Sequence, residues 1–93
     1  MYLVAYDIDE GDDYEALWEA IQGCGDAERI QESVWLLSSQ MSRDDILETV
    51  AQHIESDERV LVCVVRHLSA VNPMNEAREL AEREDFDLEE PLV

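Results

Sequence analysis

Residues 1–18 read MYLVAYDIDEGDDYEALW, an apolar run that turns acidic and then takes up helical periodicity. Within it, residues 2–8 are β-branched and aromatic on alternating sides, with Tyr2, Val4, Tyr6 and Ile8 on one face and Leu3 and Ala5 on the other. A strand apolar on both faces is expected to be covered on both. Tyr14, Leu17, Trp18 and Ile21 then recur at i, i+3, i+4 and i+7, which predicts a helix over residues 12–24. Asp12 is its natural N-cap, Glu15 completes a capping-box-like pair, and Gly23 and Gly25 supply the stop.

Outward from this unit, residues 28–38, ERIQESVWLLS, read as a short strand and a longer one, with a break near Gln31 and Glu32. Ser42 is the N-cap of a second helix, with Asp45 three residues on. Ile46, Leu47, Val50, Ala51 and Ile54 form its apolar face, and it is expected to end near Ser56. Residues 59–66, RVLVCVVR, have the pattern of a strand covered on both sides. Asn72 and Pro73 then open a third helix through about residue 84, whose narrow stripe of Met74, Ala77, Leu80 and Ala81 predicts peripheral docking. The tail, EDFDLEEPLV, is too charged to predict an element, although Phe86, Leu88 and Leu92 are candidate anchors.

The order β, α, β, β, α, β predicts an α+β fold in which two helices cover one face of an antiparallel sheet, the ferredoxin-like split βαβ arrangement. Residues 1–68 would form that domain, and residues 69–93 a C-terminal helix and acidic tail. The sheet face away from the helices stays apolar, so a homodimer pairing two such faces is expected.

A chain of 93 residues with 46% hydrophobic and 32% charged side chains has room for one core beneath a very acidic surface, its net charge being −18. All six cations are Arg, so lysine chemistry is excluded. A broad basic footprint for nucleic acid or anionic lipid is disfavoured as well. The acidity reads either as adaptation to high salt or as a surface that imitates DNA toward a basic partner. The spread of carboxylates from Asp7 to Glu90 favours adaptation. Cys24 and Cys63 are too far apart for a CxxC motif and read as buried, reduced thiols. Neither a signal peptide nor a membrane span is expected, which points to the cytoplasm.

Asp7, at the end of an apolar strand, is the candidate catalytic residue and metal ligand. A carboxylate there suits Mg²⁺ or Mn²⁺, hard ions that would activate water for phosphodiester cleavage. The alternative is that Asp7 terminates the strand by accepting backbone amides of the next turn. Asp9, Glu10 and Asp13 read as solvated loop. Tyr6 lies on the other strand face, where it fills an interface or orients substrate. Arg29 is a candidate phosphate contact or the ion-pair partner of one of the 24 acids. Trp18 and Trp35 sit on apolar stripes and read as core. His53 and His67 lack partners at metal-ligand spacing, and Gly11, Gly23 and Gly25 do not make a phosphate-binding loop.

Tyr6, Asp7 and Ile8 closing the first strand, followed by Arg29, Ile30, Gln31, Ser33, Val34 and Trp35, resemble the YDI and RIQxSVW segments of the small CRISPR-associated endoribonucleases. They are also similar to segments of the family's VapD-like and orphan relatives. The resemblance covers about residues 1–66. It implies a ferredoxin-like homodimer that is either a metal-dependent nuclease acting on RNA or DNA, with Asp7 at its metal, or a noncatalytic scaffold. The scaffold would hold DNA beside an integrase or engage another basic protein. Either would serve CRISPR adaptation and antiviral defence or a toxin–antitoxin system. Where family members carry arginines or lysines after YDI, this chain carries Asp9, Glu10, Asp12 and Asp13.

Overall fold

Val4 stands at the middle of the sheet, paired with Trp35 on one side and Val62 on the other, so the opening strand is central. The structure is a computed structural model that describes residues 1–9, 11, 13–66, 68–69 and 88–89. Its elements are β1 (Tyr2–Asp7), α1 (Tyr14–Gly23), β2 (Asp26–Gln31), β3 (Val34–Ser38), α2 (Arg43–Ala51), β4 (Arg59–Val64), β5 (Leu68–Ser69) and β6 (Leu88–Glu89). The first four strands form one antiparallel sheet in the order β2-β3-β1-β4, and with the two helices they make an α+β fold.

Alternation along the strands decides what the helices cover. Tyr2, Val4 and Tyr6 share a face with Trp35 and Leu37 of β3 and with Val60 and Val62 of β4. Leu17 and Ile21 of α1 and Ile46 and Val50 of α2 pack onto that face. Val4, Leu17, Ile21, Leu37, Ile46 and Val50 are all 0% exposed. Removing each such side chain from water stabilises the fold by about 1.5–3 kcal/mol.

The helix ends follow local hydrogen bonding. Asp13 caps α1, its Oδ1 accepting the Ala16 N–H at 3.1 Å, which makes Ala16 rather than Glu15 the third helical residue. The expected cap, Asp12, lies outside the described residues. Ser42 caps α2 as its sequence predicts, accepting the Asp45 N–H at 3.1 Å. That helix stops at Ala51, short of Ser56, because the next amides close tighter turns: His53 N–H reaches the Val50 carbonyl at 3.1 Å and Ile54 N–H the Ala51 carbonyl at 3.4 Å. Ile54 still packs on the core.

The break between β2 and β3 falls at Glu32 and Ser33, one residue beyond the predicted position, and the ladder slips by a residue between Arg29 and Gln31. At the far end of this hairpin Gly25 lies against Ser38, where a Cβ would run into the Ser38 carbonyl oxygen.

Two expectations are corrected on the sheet face away from the helices. β4 is an edge strand, and only one of its sides is covered: Val60 and Val62 pack on the core, while Leu61 is 53% exposed. Cys63, expected to be buried, lies on that same open side and is exposed, whereas Cys24 is buried. Alternation next to a covered Val62 forces this outcome.

β5 and β6 pair in parallel, Leu68 with Leu88 and Ser69 with Glu89, so a short strand does form in the charged tail. The third helix predicted over residues 72–84 lies outside the described residues. No helix among the described residues is long and apolar enough to cross a membrane.

Candidate functional site at the end of the central strand

Asp7 is the last residue of β1, and alternation places it with Leu3 and Ala5 on the open sheet face. Its direct cross-strand neighbour is Arg59, the first residue of β4. The Arg59 Nη1 lies 3.8 Å from the Asp7 Oδ2, and the two side chains are 83% and 78% exposed. At that exposure and distance the ion pair contributes little to stability. Beside it, Ala5, Asp7, Arg59 and Leu61 line an open, largely apolar groove of about 460 Å³.

The turn after β1 is secured by another residue. Glu58, 9% exposed, accepts the Asp9 N–H on Oε2 and the Glu55 N–H on Oε1, each at 2.7 Å. Asp9 pays electrostatically for this arrangement: the charge of Asp57, then desolvation, Glu58, a hydrogen bond with Asp57, and Asp7 all push its carboxyl above the ordinary 3.8.

Tyr6 and Arg29 are not on the face that carries Asp7. Tyr6 is 6% exposed and sits in the core between sheet and helices. Its hydroxyl accepts the Trp18 Nε1–H at 2.6 Å and the Trp35 Nε1–H at 3.4 Å, and donates to the Glu32 carbonyl at 3.3 Å. Tyr14, Trp18 and Trp35 continue this group as tilted rings, with centroids 6.0 Å and 6.2 Å apart in successive pairs. Arg29 caps it, its guanidinium carbon 4.7 Å from the Trp18 ring centroid. Because Arg29 lies on β2 opposite Trp35, the sheet separates it from Asp7 both by strand order and by face.

The described residues of one chain do not by themselves complete a site for Mg²⁺ or Mn²⁺. Among the described residues no group of three or more His, Cys, Asp or Glu side chains could hold a metal ion. Asp7 supplies one carboxylate with a guanidinium beside it, whereas these ions require a shell of oxygens. His53 is exposed, and His67 lies outside the described residues. Burial pushes the Cys24 thiol up, and its Sγ donates to the Ala20 carbonyl at 3.3 Å, so it has the setting of an inert structural thiol.

Two residues that matter to this end of the molecule, Glu58 and Arg59, escaped the sequence reading. The signal for Arg59 was present: if the first and last strands of the sheet pair antiparallel, an arginine opening one stands opposite an aspartate closing the other. Glu58 had no such signal, because its contact with Asp9 is set by the meeting of two loops 49 residues apart in sequence. No protein-family model matches the chain, and no solved structure matches it significantly.

Proposed function

We propose that the chain is a metal-dependent endonuclease acting on RNA or DNA as a homodimer, built on a ferredoxin-like frame. The frame is supported by the strand order β2-β3-β1-β4, with α1 joining β1 to β2 and α2 joining β3 to β4. The observation that carries the function is the placement of Asp7. It is 78% exposed on the open sheet face, next to an apolar groove, while Glu58 takes the backbone amide that a strand-ending aspartate would otherwise hold. Pairing two open faces through Leu61 and its neighbours would add a second Asp7 and so enlarge a donor set that the described residues of one chain leave incomplete. Mg²⁺ or Mn²⁺ bound there would lower the pKa of a water and neutralise charge on a phosphate. CRISPR adaptation or a toxin–antitoxin system within the cytoplasm is the setting that the YDI and RIQxSVW segments suggest.

The test is cleavage of labelled RNA and DNA with Mg²⁺ or Mn²⁺ across a range of salt, for the parent chain and for Asp7→Asn. The variant should lose cleavage while sedimenting as the parent does. Undiminished cleavage by Asp7→Asn would remove this residue from the mechanism.

A second reading, a noncatalytic scaffold or acidic binding module for a basic protein such as an integrase, is favoured by the crowding of Asp57 and Glu58 around Asp9 at the same end of the sheet. Recovery of a basic DNA-binding protein in a pull-down, with no cleavage under any metal, would select it.

A further inference from the structure

We propose that Arg59 is the phosphate-binding residue of the open face, its guanidinium taking the non-bridging oxygens of a nucleic-acid backbone at the paired ends of β1 and β4. This rests on the endonuclease reading above and adds to it the cation that the sequence reading had sought in Arg29.

Register places Arg59 directly opposite Asp7, so a phosphate held by one lies beside the other. Their contact is a single long one, Nη1 to Oδ2 at 3.8 Å, and the Arg59 side chain is 83% exposed. A guanidinium carries five N–H donors in a rigid fork that matches two phosphate oxygens, and one such contact occupies little of that capacity. Solvent exposure also keeps the Asp7 pairing weak, so a phosphodiester, which like the carboxylate carries one charge over two oxygens, can compete for the fork.

Of the three other arginines in the described part of the chain, Arg66 is exposed just beyond the far end of β4, and the remaining two are placed elsewhere. Arg29 lies over the Trp18 ring on the helix-covered face, and Arg43 sits on α2 with its Nε 3.5 Å from Asp44 Oδ1. The direction of the bound strand follows from charge and polarity. Asp9, Asp57 and Glu58 crowd the loop end beyond Asp7 and repel phosphate. In the other direction the apolar groove floored by Ala5 and Leu61 belongs to the face that the homodimer would bury. A backbone anchored at Arg59 would therefore pass along the rim of that seam, at the strand end where Arg59 and Asp7 stand. RNA and DNA share the phosphodiester that this fork would grip.

The test measures binding of a short fluorescein-labelled single-stranded RNA, and of the DNA of the same sequence, in EDTA over a salt series. The proteins are the parent chain, Arg59→Ala, Arg59→Lys, Asp7→Asn and Arg29→Ala. Arg59→Ala should weaken binding of at least one oligonucleotide roughly tenfold or more, and flatten the plot of log affinity against log salt by about one unit of slope. Arg59→Lys should recover part of the affinity, Arg29→Ala should match the parent, and Asp7→Asn should bind as well as the parent or better. With Mn²⁺ present, Arg59→Ala should raise KM more than it lowers kcat. A parent chain that binds and cleaves, with Arg59→Ala binding equally well, overturns the role of Arg59 and leaves the endonuclease reading standing. A parent chain that binds neither oligonucleotide and cleaves neither overturns both.

Discussion

Glu58 and Asp9, separated by 49 residues, are joined by a hydrogen bond of 2.7 Å from the Asp9 backbone N–H to the Glu58 carboxylate. The other carboxylate oxygen holds the Glu55 N–H at 2.7 Å, so one nearly buried side chain ties the loop leaving β1 to the loop entering β4. Removing it leaves two amides without their charged acceptor. Glu58→Ala should therefore cost about 1.5–3 kcal/mol in unfolding free energy measured with urea. A loss below a few tenths would mean that water replaces the carboxylate without penalty.

The Tyr6 hydroxyl gathers two indole N–H groups and one carbonyl at the junction of α1 with the sheet. Tyr6→Phe preserves the ring and deletes the shared acceptor, leaving the Trp35 N–H, in a residue only 5% exposed, with no partner for its proton. We expect a loss of about 1–3 kcal/mol by urea denaturation followed by circular dichroism. Amide hydrogen exchange should quicken first around the Glu32 turn. Oligonucleotide binding should be unchanged, because the hydroxyl faces away from Asp7.

Asp9 is held above its ordinary 3.8 chiefly by the charge of Asp57, which means that the folded chain binds this proton more tightly than the unfolded chain does. Stability must then fall as pH rises from the unfolded value through the elevated folded value, and stay lower above it. Asp9→Asn abolishes the repulsion. The variant should be more stable than the parent at neutral pH and low salt, with the advantage shrinking as pH drops toward 3.8 and as salt screens the charges. An advantage independent of both pH and salt would show that repulsion is not its source.

Leu61 is 53% exposed on the sheet face away from the helices, across from Ala5 on the edge strand β4. If two copies pair there, Leu61→Asp places two like charges inside the seam and should convert a dimer to a monomer in equilibrium sedimentation. Circular dichroism and the urea midpoint should move little once the change in association is allowed for, since the side chain is not part of the core. A dimer that survives the substitution uses some other surface.

The four-stranded antiparallel sheet and its two helices were legible because their signals are local. The alternation in YLVAYDI, the stripe of Tyr14, Leu17, Trp18 and Ile21, and the Ser42 cap each depend on neighbours a few residues away. What escaped the reading depends on tertiary context. An apolar run such as RVLVCVVR looks the same whether its strand is central or at an edge, so the exposure of Cys63 and Leu61 could not be foreseen from composition. Likewise Asp12 and Asp13 are chemically interchangeable as caps, and geometry chose Asp13. The candidate site divided in the same way. Asp7 was placed at a strand end by local pattern, whereas the separation of Arg29 from it follows from strand order. Tyr6 became a hydrogen-bond hub only because Trp18 and Trp35 arrive from two different elements.

Those two indoles also determine what light can report about this protein. Both tryptophans of the chain donate to the same phenolic oxygen, with ring centroids 6.2 Å apart on the helix-covered side. Their emission and their coupled near-ultraviolet dichroism will register loosening of the α1–sheet contact as one event. A ligand or second subunit arriving on the far side of the sheet would leave the spectrum almost silent, so titrations of that surface need an extrinsic label.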